Sequence, residues 1–208
     1  MRAINISVLF LVLGLIFSTK STYSQDTLLL LNGKKYPIKV KKVTNDSITF
    51  ETLGKEGKEK QIEKIDVFSL ISPNGNEVVM YRQDTNVGNN LSVDQMRNYI
   101  YGEQDARKNY HAPLMAVAGL IAGAGGGFIG FYGLMVPPLA TALLCIKSPK
   151  VKAKNVSKPE LITNDYYTTG FQSIAVRKKV KNGMIGGLLG FVLTSATVTI
   201  MKSNGMFK

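Results

Sequence analysis

Residues able to do covalent or acid–base chemistry are few in this sequence. Among 208 residues there is one histidine, His111, one cysteine, Cys145, and no tryptophan. One cysteine cannot build a disulfide framework or a Cys-rich zinc site, and one histidine makes no ligand cluster. His111 precedes Ala112-Pro113 at the start of a long apolar stretch, where an interfacial polar role suits it better than catalysis. Cys145 has no histidine or second cysteine near it and reads as a small apolar residue. Gly125-x-Gly127-x-x-Gly130 formally matches the phosphate-cradling dinucleotide fingerprint. That loop should follow a strand and be answered by an acidic residue about 20 positions later. Here the flanks are apolar and helical, and the region near residue 150 is basic. The expectation is a chain that is not an enzyme, with no cofactor and no metal.

The elements that would carry any site are marked by their apolar runs. Hydrophobic residues make up 45% of the chain, charged ones 19%, and the mean hydropathy is +0.05. Met1-Arg2, the apolar run Val8 to Phe17 and Thr22-Tyr23-Ser24 have the form of a secretory leader over residues 1–24, cleaved before Gln25. Two later stretches lack charge. Residues 112–146 would be about 52 Å long as one helix, too much for a hydrocarbon core of about 30 Å, and are expected to break at Pro137-Pro138. Residues 183–201, about 28 Å as a helix, are just long enough for a second span.

Charge suggests an orientation. Residues 25–111 are nearly balanced, whereas 147–182 hold nine Lys/Arg against Glu160 and Asp165. Short basic loops beside membrane spans favour the cytoplasm. The expected topology is therefore an inner-membrane protein with a periplasmic N-terminal domain at 25–85. A lead-in helix at 92–111, the first membrane segment, a cytoplasmic basic loop with an amphipathic helix at 147–182, the second span and a tail at 202–208 would follow. Lys147, Lys150, Lys152, Lys154, Arg177, Lys178, Lys179 and Lys181 are expected to meet anionic lipid headgroups. Nucleic acid is not the expected partner, because the basic segment lacks interleaved aromatics.

Residues 26–82 read as short strands. Asn32-Gly33 predicts a two-residue type I′ hairpin, Asn45-Asp46 and Pro73-Asn74-Gly75 predict further turns, and Pro37 predicts an edge strand or a bulge. Before the first span, Ser92 with Gln95 forms a capping box for a helix. Before the second, Asp165 is the expected cap. Both lead-ins carry Tyr, then Gly-x-Gln at Gly102/Gln104 and Gly170/Gln172, then Ala and Arg-Lys, as an old duplication would. Gly119, Gly123 and Gly127, with Gly183/Gly187 and Gly186/Gly190, stand four apart, the spacing of a glycine zipper that lets helix backbones approach. These stripes would pack on each other, on a second copy or on a protein partner.

The N-terminal residues Asp26, Asn32-Gly33, Val40, Val43, Asp46, Ile48, Phe50, Asp66-Val67-Phe68 and Asn74-Gly75 resemble a small β module of secreted Bacteroidota proteins. The remainder resembles a membrane-associated family often joined to it. That likeness rests on Gly102, Asp105-Ala106, Tyr110, Pro137-Pro138, Asn155, Pro159, Leu161, Asn164-Asp165-Tyr166, Gly170-Phe171 and Ala175. The resemblance implies a cell-envelope location and this architecture, and adds no mechanism. The expected fold is α+β: a small SH3-like β-barrel or rolled sheet followed by a helical region with two transmembrane helices. The expected function is a non-enzymatic interaction or scaffold module. The alternative is a membrane-active protein whose glycine-rich helices form a pore or remodel lipid.

Overall fold

The computed structural model describes residues 25–52 and 58–205. The expected leader, residues 53–57 and the end of the tail lie outside the described residues. Two compact units result. One holds residues 25–29 and 35–80, the other residues 30–34 and 81 onward. The class is α+β, an antiparallel six-stranded sheet followed by helices.

The strands are β1 (Asp26–Leu30), β2 (Lys35–Val43), β3 (Ser47–Thr52), β4 (Glu59–Glu63), β5 (Val67–Ile71) and β6 (Glu77–Val79), in the order β4-β3-β2-β1-β5-β6. β1 lies inside the sheet, and its run Leu28, Leu29, Leu30 is buried throughout. Ile38, Ile48, Phe50, Val67 and Phe68 complete the buried apolar set of the strands. Pro37 pairs with Thr27 inside the ladder rather than on an edge; the irregularity in β2 falls between Val40 and Lys42. The first hairpin departs from type I′. Leu30 N donates to Lys34 O, so the loop has three residues, and only Gly33 takes a positive φ, of 73°. Ser72–Asn76 repeats that turn with Gly75 at φ 84°.

The helical unit contains α1 (Val93–Asn109), α2 (Pro113–Phe128), a 3₁₀ turn (Gly130–Met135), α3 (Val136–Cys145) and α4 (Asp165–Ser203). Ser92 and Gln95 make both bonds of the capping box on α1. The cap of α4 is Asn164, whose Oδ1 accepts from the Tyr166 and Tyr167 amides, and Asp165 instead occupies the first turn. Amphipathic helix and second apolar stretch are one continuous 39-residue helix, the one helix among the described residues long and apolar enough to cross a membrane. The first apolar stretch does not form a span broken at Pro137-Pro138. Those prolines open α3, where a missing N–H costs nothing, and the chain reverses at Gly130–Met135.

Backbone contact sets the packing. A Cβ on Gly119 would lie 2.1 Å from Gly183 O, and one on Gly186 would lie 2.0 Å from Ala116 O. Gly123 meets Gly187 O at 1.9 Å, and Gly190 meets Leu120 O at 2.2 Å. The same exchange joins α1 to α4, with Gly102 against Tyr167 O and Gly170 against Tyr99 O. Contacts advance together from Gly119–Gly183 to Gly123–Gly187 along α2, and from Tyr99–Gly170 to Tyr110–Lys178 along α1, so both run in the same direction as α4. α3 returns on α4: Pro137 fills the notch at Gly187 and Thr141 the one at Gly183. At Gly102, Gly119, Gly123, Gly170, Gly186 and Gly190 any side chain would collide with backbone.

Gly123→Leu should therefore destabilise the helical unit by more than the ~1–3 kcal/mol typical of overpacking, read as a lowered thermal midpoint in mild detergent. Gly125→Ala, where a Cβ meets nothing within 4 Å, should leave the midpoint unchanged or raise it. Equal midpoints for both variants by circular dichroism would refute the contact.

Candidate functional site

The polar chemistry of the helical unit is gathered where α1, α2 and α3 meet the middle of α4. α1 ends at Asn109, leaving its last carbonyls without helical partners. Lys178 supplies them: its Nζ donates to Ala106 O at 3.0 Å, Arg107 O at 2.6 Å and Tyr110 O at 2.8 Å. A cation there also opposes the negative end of the helix dipole. Burial, together with the Arg107 charge, lowers the Lys178 pKa below the usual lysine value. The next residue does the same for α3, with Lys179 Nζ donating to Leu144 O at 2.8 Å and Lys147 O at 3.2 Å. Asn182 Nδ2 holds Ala112 O, immediately before α2.

Asp105 is the second anchor. It is 7% exposed and accepts from the Ser157 amide at 2.8 Å, from the Ser157 hydroxyl, and from the Tyr167 hydroxyl at 2.5 Å. A buried carboxylate with three donors is satisfied, and it ties α1 both to the basic segment and to the first turn of α4. Burial and the Asp105 carboxylate push the Tyr167 hydroxyl well above the usual tyrosine range, which keeps it a donor. Around this pair Ala106, Phe171, Ile174 and Ala175 form a closed core, with Tyr110, Val151 and Val156 packed against it. Glu103, one turn before Arg107 on α1, is 2% exposed. Burial raises its carboxyl above the ordinary range, against the pull of the Arg107 guanidinium 3.4 Å away.

These bonds overturn the expected topology of the helical unit. The lead-in helix and the basic segment were expected on opposite sides of a bilayer. Asp105 and Ser157, and Lys178 and Ala106, are hydrogen-bond partners, and about 30 Å of hydrocarbon cannot run between such groups. The charge-free stretch leaves at Ala112 and comes back at Lys147, both beside residues 179–182 of α4, so it is a hairpin.

The sequence-selected residues divide accordingly. Gly119, Gly123, Gly183, Gly186, Gly187 and Gly190 all face backbone or the side chains of α3 within this chain, and Gly127 faces Thr194. Of the eight expected lipid-facing cations, Lys178 and Lys179 are spent on carbonyls. Lys147, Lys150, Lys152, Lys154, Arg177 and Lys181 remain exposed. His111 is exposed at the head of α2, Cys145 is half-buried at the end of α3, and Gly125 and Gly127 of the formal fingerprint lie inside a helix. Asp105, Ser157 and Tyr167 were not singled out by charge or spacing. Asp105 stood out only within the family resemblance, since nothing local marks a carboxylate whose donors lie 52 and 62 positions away.

Tyr167→Phe should cost about 1–3 kcal/mol of stability, the usual penalty for removing one donor from a buried acceptor, read as a lowered unfolding midpoint in detergent. Glu103 sets a pH dependence. Its folded pKa lies above the ordinary 4.5, so its contribution is fully present below pH 4.5 and is lost as pH rises through the raised folded value. Glu103→Gln should flatten that fall between acidic and neutral pH; an unchanged midpoint-versus-pH slope would reject the assignment.

Compared with known proteins, the chain matches no family model, no curated protein and no solved structure.

Proposed function

We propose that this chain is a membrane-anchored envelope protein of non-enzymatic character, an interaction or scaffold module. The observation that carries the reading is the inverted surface of the helical unit: glycines inside, large apolar side chains outside. Leu114, Ile121, Leu139, Leu143, Val192 and Leu193 are each at least 60% exposed. Only 17% of the most apolar window of α4 is buried, unlike the core helix of a protein in water. In this reading α4 crosses the bilayer, and the α2–α3 hairpin enters and leaves from the side of the Lys178–Asp105 junction. α2, with 16 residues, reaches about 24 Å into it. Residues 81–111 contain no span, so the β module, read as a small SH3-like binding domain, is presented on that same side. The expected leader makes this side periplasmic and the membrane the inner one. The basic segment then faces the outer leaflet, with membrane lipids and a protein as partners.

A second reading draws on the hairpin tip, where Phe128, Phe131 and Tyr132 are 69–83% exposed. An apolar tip entering from one side would remodel lipid; dye release from vesicles at low protein-to-lipid ratio would support it. For the leading reading, single cysteines at Asn74, Ser148 and Asn204 in a Cys145→Ser background would be labelled with a membrane-impermeant maleimide. Asn74→Cys and Ser148→Cys should react from one side and Asn204→Cys from the other. Labelling of the first two from opposite sides would refute it.

A further inference from the structure

A cleft of about 520 Å³ opens beside the junction, lined by Tyr110, His111 and Pro113 on one wall and by Lys150, Lys152 and Lys154 on the other. No carboxylate lines it, and none of the three lysines makes an ion pair among the described residues. The lysine wall is held in place. Val151 packs on the Phe171 core between Lys150 and Lys152, and Asn109 Nδ2 donates to Asn155 O at 3.2 Å just past Lys154. Lys178 and Lys179 satisfy carbonyls, so the charge of this wall is the part of the basic segment concentrated in a concavity. Its depth in the molecule is defined too. Pro113 is the first residue of α2, where charged chain gives way to the apolar hairpin.

Three ammonium groups around a concave site suit a tetrahedral anion with several acceptor oxygens. We infer that this cleft binds the phosphate of an anionic phospholipid headgroup. The inference rests on the membrane-anchored reading, which puts the cleft at headgroup level, and it adds a defined lipid site to it.

The test uses the full chain purified in mild detergent, presented with phosphatidylglycerol or phosphatidylcholine and read by native mass spectrometry for retained lipid. Lys150→Gln/Lys152→Gln/Lys154→Gln should weaken phosphatidylglycerol retention about a hundredfold, as roughly 1 kcal/mol per lysine gives, with an unchanged circular dichroism spectrum. Lys35→Gln/Lys39→Gln/Lys42→Gln, three exposed lysines of β2 and the same change in charge, should lose none. Equal loss in both variants, or retention by the first, would overturn the site. Inorganic phosphate bound by the unaltered protein as tightly as phosphatidylglycerol would overturn the lipid as its source. Failure of the unaltered chain to float with phosphatidylglycerol vesicles would remove the membrane reading as well. Flotation without headgroup preference would overturn the cleft alone.

Discussion

Contact between the backbones of α2 and α4 governs the rest of the helical unit. α2 and α4 carry five glycines each, and in water each glycine inside a helix costs about 1 kcal/mol against alanine. That cost is offset only if the missing side chains bring something closer. Here they bring carbonyls to about 2 Å from where a Cβ would stand, close enough for many weak Cα–H···O and dispersion contacts. Since Gly186/Gly190 serve α2 and Gly183/Gly187 receive α3, α4 is packed on two adjoining stripes. With the small residues inward, the leucines, isoleucines and phenylalanines have nowhere to go but outward.

Fixing α2 beside α4 brings the charged ends together. Three chain segments begin or end beside residues 178–182, and each exposes carbonyls that no helix satisfies. Two adjacent lysines and an asparagine of α4 reach them, while Asp105 draws in Ser157 and Tyr167 from the other direction. Lys178 uses all three ammonium donors on carbonyls and Lys179 two of its three. The basic segment is thus divided into structural cations and free ones, and the free ones gathered around the cleft beside Pro113 carry the lipid-binding inference.

The reciprocal contacts of Gly102 with Tyr167 and Gly170 with Tyr99 have a counterpart in sequence, the Gly-x-Gln pattern that α1 shares with the start of α4. α1 and α2 are separate helices joined by a 67° bend near His111, whereas α4 runs through without a break. The two segments that share the pattern thus pack on each other at their glycines.

Much of the architecture was legible from local pattern. Alternation and Asn-Gly or Pro-Asn-Gly turns marked the strands, Ser92 with Gln95 marked the start of α1, and four-residue glycine spacing marked the helix faces that come together. These signals are short-range and survive in any context. What local pattern could not decide was direction. A charge-free run long enough to cross a bilayer once can also fold back on itself, and charge counting took residues 147–182 to the far side. That the run folds back is a matter of tertiary packing, because the reversal at Gly130–Met135 is stabilised by α3 closing on Gly183 and Gly187, about 50 positions away. Likewise, composition sets the number of lysines, but which of them cap carbonyls and which face solvent depends on where three helix ends fall in space.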